Sequence, residues 1–272
     1  MSKQQVITGK VTNNIAVLLK SVNDATALNQ PLYAINWFST KIEWMYHFYN
    51  FLAYPRVKSV GGKVFFKGKL YQTLYGKQED ARELLLIVNY PSGNHFKNLM
   101  MDTLFKMVSI FRILAVKKFS FGFTQKLFPI DEKTTTDKTK KYAIHHFKTP
   151  QLTEDKIRKL KEILEIAQVR LHYAGAINAL LYSQETNKEV EQIPCLMNGI
   201  FLLESDTEAN LKDLVNKESY QNYMKHFDTS FIGLIERSRY DRCEIRYNHR
   251  GFLRNRLRCD SVFNWERLSC FW

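Results

Sequence analysis

Apolar residues follow two rhythms along this chain: short unbroken runs closed by turn formers, and longer stretches with helical spacing. Leu84 to Val88 (LLLIV) is too short for a helix and ends at Tyr90-Pro91-Ser92-Gly93-Asn94, which predicts a strand covered on both faces. Phe96, Leu99, Met100, Leu104 and Met107 then recur at helical spacing, with Ser92 placed to cap that helix. Upstream, Leu32 to Phe38 predicts a strand and Lys41 to Tyr54 an aromatic-rich helix ending at Pro55. Gly61-Gly62 introduces a strand over Lys63 to Lys67, which turns at Gly68 and continues as Leu70 to Tyr75. Lys118 to Thr124 alternates as a last strand. The order β-α-β-β-α-β is that of a ferredoxin-like unit.

The pattern then repeats. Tyr142 to Phe147 reads YAIHHF where Tyr33 to Phe38 reads YAINWF. Thr153 begins a periodic helix through Ile157, Leu160, Ile163, Leu164 and Ala167. Ala176 to Tyr182, Gly199 to Glu204 (GIFLLE), the stretch SDTEANLKDLVNKESYQNY and Arg239 to Tyr247 supply the remaining elements. Aligned on the first unit, Phe96 falls on Leu211, Leu99 on Leu214 and Phe105 on Tyr220. The predicted organisation is an N-terminal helical arm (1–31, with Val11, Ile15, Leu18, Leu19 and Val22 on one face), unit one (32–125), a polar linker (126–140), unit two (141–247) and an Arg-rich C-terminal tail (248–272).

Composition adds bounds. With 45% hydrophobic and 14% aromatic residues in 272, the chain has ample material for a core. The net charge of +13 raises nucleic-acid or anionic-membrane binding, yet the lysines are scattered, and a solvated surface is favoured. Arginine at every fourth position from Arg242 to Arg258 leaves the tail as a phosphate- or partner-docking stripe or as a plain extension. Cys195, Cys243, Cys259 and Cys270 lack metal-site spacing and read as free thiols. No apolar signal core or uncharged span is found, so the expected location is cytoplasmic with no membrane span.

Unit one resembles small, functionally uncharacterised bacterial proteins of the dimeric α/β-barrel superfamily. The resemblance rests on Asn36, Tyr49, Gly61-Gly62, Tyr90-Pro91-Ser92, Phe105 and Arg112, with agreeing spacing over residues 32 to 124. It departs where the family has a His before Arg112, here Phe111. In unit two His226 remains but is followed by Phe227, and His145 replaces Asn36. The resemblance implies an α+β fold in which two tandem ferredoxin-like (βαββαβ) units form a dimeric α/β-barrel-like pseudo-dimer, as a monomer or homodimer. Proteins similar in fold include cofactor-independent monooxygenases, cyclases and isomerases.

The candidate chemistry is correspondingly narrow. Arg112 could hold a carboxylate or phosphate with its planar fork, or form a helix-end ion pair. Asn36, within an apolar strand, makes either a structural bond or a ligand contact. His145 and His146 point to opposite faces of a strand, so they cannot share one metal. His145 reads as a general base or as a satisfied core histidine. His226 near a helix end is a second proton-transfer candidate; His95 and His172 stand near element boundaries. Tyr49 sits in a cluster with Trp44, Tyr46 and Phe48, as ligand contact or core. Gly61-Gly62 is no phosphate loop, and HExxH and GxSxG contexts are missing. No cofactor and no metal are expected. The preferred function is binding of a small hydrophobic or aromatic molecule between helices and sheet. The alternatives are an enzyme using His145 or His226 with Arg112, and a scaffold whose tail docks a nucleic acid or acidic partner.

Overall fold

The computed structural model describes residues 29–126, 139–149, 152–183 and 199–238. Eight antiparallel strands close into one barrel, β1 (Leu32–Thr40), β2 (Lys63–Tyr75), β3 (Leu84–Tyr90), β4 (Val116–Lys126), β5 (Lys141–Lys148), β6 (Val169–Ser183), β7 (Gly199–Ser205) and β8 (Thr229–Arg237). Round the barrel the order is β1-β3-β2-β8-β5-β7-β6-β4, with β1 pairing β4 to close it. The arc β4-β1-β3-β2 is therefore followed by an arc β8-β5-β7-β6 of the same order. Six helices accompany them among the described residues: α1 (Glu43–Ser59), α2 (Gly93–Met101), α3 (Thr103–Ala115), α4 (Glu154–Ile166), α5 (Glu208–Asn216) and α6 (Glu218–Met224). The fold is mixed α+β on one large antiparallel sheet.

Alternation along each strand divides the core into three. Tyr33, Ile35 and Trp37 of β1 join Phe66, Leu85, Ile87, Tyr142, Ile144, Tyr173, Ile200, Leu202, Phe231 and Ile235 inside the barrel. The intervening Leu32, Ala34 and Phe38 pack outward against Tyr49, Phe96, Leu99 and Phe105 of α1 to α3. In the second arc Ala143 and Phe147 pack outward against Leu160, Leu164, Leu214 and Tyr220 of α4 to α6. Both strand faces are covered, which is why LLLIV and GIFLL show no polar alternation.

Several boundaries differ from the sequence expectation, each for a local reason. Pro55 does not end α1, which runs on to Ser59. It stands on the exposed side of the helix, where the carbonyl it leaves unbonded can meet water. Gly68 is no turn. β2 runs straight through it, and a Cβ there would collide with Ile235 Cγ2, so glycine permits the close approach of β8. The helix expected from Phe96 to Met107 is two helices, because Asp102 ends α2 and its side chain caps α3 by accepting from the Phe105 amide at 2.7 Å. The break resets the helical phase and turns Leu104 and Met107 outward. Ser92 occupies the N-cap position of α2, but its hydroxyl meets His95 Nδ1 at 2.7 Å and caps no amide. Thr153 does cap α4, accepting from the Lys156 amide. β6 starts already at Val169, so Tyr173-Ala174-Gly175 lies within a strand. The closing strand is Thr229–Arg237; residues 239–247, expected to form it, lie outside the described residues. So do most of the arm (1–28), most of the linker (127–138), the tail and all four cysteines.

Candidate functional site

The chemistry-bearing side chains fall into three places: the helix–sheet layer of each arc and the barrel interior. In the first layer α1 and α3 bring Tyr49 and Arg112 together over the outer face of β4. The Arg112 guanidinium carbon stands 4.9 Å from the Phe119 ring centre and 5.9 Å from that of Tyr49. Among the described residues no carboxylate lies within ion-pair distance of it. Burial pushes the Tyr49 phenol up, and the adjacent Arg112 charge pulls part of that back. Asn36 faces the same layer from β1, opposite Phe121 of β4. Its amide nitrogen donates to the Leu86 carbonyl at 3.2 Å and to that of Ala34 at 3.4 Å, while no bond to its side-chain oxygen is seen from the described residues. Arg112, Tyr49 and Asn36 thus share one layer.

In the second layer His145 occupies the place of Asn36. Its Nδ1 lies 2.8 Å from Tyr220 Oη and its Nε2 3.1 Å from Ser230 Oγ, so one nitrogen of the neutral ring donates and the other accepts. The rings of Phe147, Phe201, Tyr220 and Phe227 surround it within 5.8 Å. Burial, with a smaller contribution from His146, holds the imidazole down to about 3, and it is neutral at pH 7. Phe227 packs against Phe147 at 4.3 Å and Tyr223 at 5.3 Å. His226 is exposed beyond the end of α6, its ring against Tyr223, and is not brought to His145.

The barrel interior holds a cluster that sequence reasoning did not assemble. At one end His172 Nδ1 stands 3.0 Å from Glu204 Oε2, both side chains almost fully buried, and Arg170 binds the other carboxylate oxygen at 2.5 Å. Burial alone would raise the Glu204 carboxyl; His172, Arg170 and Tyr142 outweigh it and hold the group below the usual carboxylate range. Arg237 reaches Tyr142 Oη at 3.3 Å, and Phe65, Phe66 and Tyr142 ring His172. His172 Nε2 has no hydrogen-bond partner among the described residues. An imidazole in ion-pair contact with a carboxylate, with its second nitrogen open, is suited to act as a general base, although the contact falls outside hydrogen-bond geometry. At the other end His146 stacks on Trp37 at 5.9 Å, held down to about 3 by burial and then by the Arg82 charge.

The sequence signal for this cluster was the glutamate closing the apolar run GIFLLE, since a carboxylate on a doubly covered strand has to be paired. Its partner was hidden because His172 sits at a bulge in β6, where pairing jumps from Leu171 to Tyr173. Phe65 occupies the matching bulge in β2. Among the described residues no three His, Cys, Asp or Glu side chains gather as metal ligands, and no helix is long and apolar enough to cross a membrane.

No protein-family model matches the chain, and no curated protein matches it. Solved structures similar to it include a protein of unknown function from Rhodopseudomonas palustris, 20% identical over 41% of this chain and 93% of that one, with a TM-score of 0.39. An anthrone oxidase-like protein is 11% identical over 77% and 92%, with a TM-score of 0.47. A mutant chlorite dismutase from Candidatus Nitrospira defluvii is 13% identical over 75% and 91%, with a TM-score of 0.41.

Proposed function

We propose that the chain is a fused tandem of two ferredoxin-like units, 32–125 and 141–238, whose first helix–sheet layer binds a small hydrophobic or aromatic molecule carrying an anionic group. The repeated strand order of the two arcs and the matching positions of Asn36 and His145 support the tandem. The binding reading is carried by one observation: Arg112 is a half-buried cation laid over two aromatic rings with no carboxylate beside it among the described residues. One donor of the guanidinium meets the Tyr49 hydroxyl, and the rest of its fork is turned to no described carboxylate and suits a carboxylate or phosphate, while the Tyr49 and Phe119 rings offer apolar surface. Asn36 supplies the neutral polar contact.

The test is direct. Mass spectrometry of the purified chain identifies any co-purifying aromatic acid, and thermal shift with benzoate, salicylate and 1-naphthoate serves as a probe series. Arg112→Gln is expected to remove the shift with every probe. Shifts that survive it would place the anion elsewhere.

A second, enzymatic reading is favoured by a separate observation, the open Nε2 of His172 beside Glu204. It assigns proton transfer to the barrel end instead of to His145, whose nitrogens are both engaged, or to the exposed His226.

A further inference from the structure

Helices α1 and α3 are apolar on both faces. Their inner sides present Tyr46, Tyr49, Ala53 and Phe105 to the sheet. Their outer sides carry Trp44, Phe48 and Phe51 on α1 and Leu104, Met107, Ile110 and Leu114 on α3, all between 43% and 61% exposed. The spacing of 44, 48 and 51, and of 104, 107, 110 and 114, makes each set one stripe. Phe48 meets Phe111 edge-on at 5.3 Å, so the stripes join across the helix pair. Glu43 and His47 are also exposed on α1, 3.8 Å apart, but an exposed apolar face that runs over both helices marks an interaction surface.

Charge indicates which. In the first helix layer, residues 43–59 and 93–115, five Lys and Arg stand against two Asp and Glu; in the second, 154–166 and 208–224, six stand against seven. The excess is reinforced at one end of the patch. The Lys41 amide bonds the Ala115 carbonyl at 2.7 Å, which gathers Lys41, Lys117 and Lys118 there, while Lys58 and Arg56, the latter 3.8 Å from Asp102, stand at the other end. A second copy packed face to face would bring two such basic borders together. The N-terminal arm, with three lysines and one aspartate over residues 1–28, has the same sign.

An aromatic and aliphatic face bordered by lysine is complementary to an anionic bilayer, where the side chains enter the headgroup boundary and the cations meet lipid phosphates and carboxylates. We propose that α1 and α3 lie flat on an anionic membrane surface and dock the barrel there without crossing it.

Co-sedimentation of the full chain with vesicles of phosphatidylcholine alone, and with phosphatidylserine added, tests this. The chain should pellet with the mixed vesicles and be released by salt. Phe51→Glu with Met107→Glu should weaken partitioning at least roughly tenfold, because each large apolar side chain withdrawn from water contributes on that order. Ile166→Glu, a highly exposed position on α4, should leave it unchanged. Brominated lipid should quench the wild-type chain more than the Trp44→Phe variant, a readout independent of how the charged variant folds. Failure to pellet with the mixed vesicles, or pelleting indifferent to the double substitution, overturns the proposal. So does a dimer in light scattering that the double substitution dissociates, since the face would then belong to a second copy.

Discussion

The two arcs of the barrel carry the same strand order, yet they treat the same position in opposite ways. Where β1 puts Asn36, with only its amide nitrogen engaged by the described residues, β5 puts His145, with both nitrogens occupied and four aromatic rings around it. Where the first layer leaves the Arg112 cation over Tyr49 and Phe119, the second fills the equivalent place with Phe227 stacked on Phe147. The outer helix faces differ in the same sense, apolar and basic in one arc, polar and charge-balanced in the other. One layer has been closed into a core and the other left with unmet polar and apolar demand. Stability should therefore depend most on the second arc, and binding on the first.

The largest expected effect tests that division. His145→Ala removes a fully buried ring and strands the Tyr220 and Ser230 hydroxyls, which should cost about 3 kcal/mol or more. Asn36→Ala breaks amide bonds to two backbone carbonyls and should cost about 1 kcal/mol. Urea unfolding of the two variants side by side measures the gap. Equal losses would mean that the layers are equally closed.

An intermediate effect comes with acid. His145 and His146 stay neutral in the native chain down to about 3, whereas the unfolded imidazoles protonate near 6.5. Between those values the unfolded chain binds more protons, so the stability these groups contribute is complete above about 6.5 and is lost as pH falls. The slope is about 1.4 kcal/mol per pH unit for each histidine. His145→Asn, which copies the first arc, should remove half of that slope between about pH 6 and about pH 5. An unchanged slope would show that other groups drive the acid sensitivity.

Much of this contrast was legible in the residues, and the remainder was hidden for identifiable reasons. YAINWF and YAIHHF announced β1 and β5, and Thr153 announced α4, because those signals are local. The seam between the arcs is not local. A Cβ on Gly68 of β2 would collide with Ile235, and one on Gly233 of β8 with Leu70, so each glycine is explained by a strand from the other half. By sequence alone Gly68 predicts a turn and residues 239–247 a closing strand, whereas the strand beside β2 is Thr229–Arg237. The Asp102 break is one residue that reverses the outlook of Leu104 and Met107. In the candidate site, Arg112, Tyr49 and Asn36 were named through the family resemblance, and helix and strand periodicity supplied only the elements that carry them. The His172–Glu204 pair depends on a bulge, and bulges shift register without a composition signal.

The smallest expected effect is the most discriminating. Arg112 is half-buried, so Arg112→Gln gives up cation–π contacts worth about 0.5–1 kcal/mol and a hydrogen bond with the Tyr49 hydroxyl, but no buried ion pair with a described carboxylate. At the aligned position of the second layer Phe227 packs on Phe147 at 4.3 Å, and a phenylalanine at 112 should likewise bury apolar surface. Arg112→Phe should accordingly match or exceed the wild-type chain in urea while losing its thermal response to aromatic carboxylates. A large loss of stability in Arg112→Phe would instead make the guanidinium part of the core and return the first layer to the condition of the second.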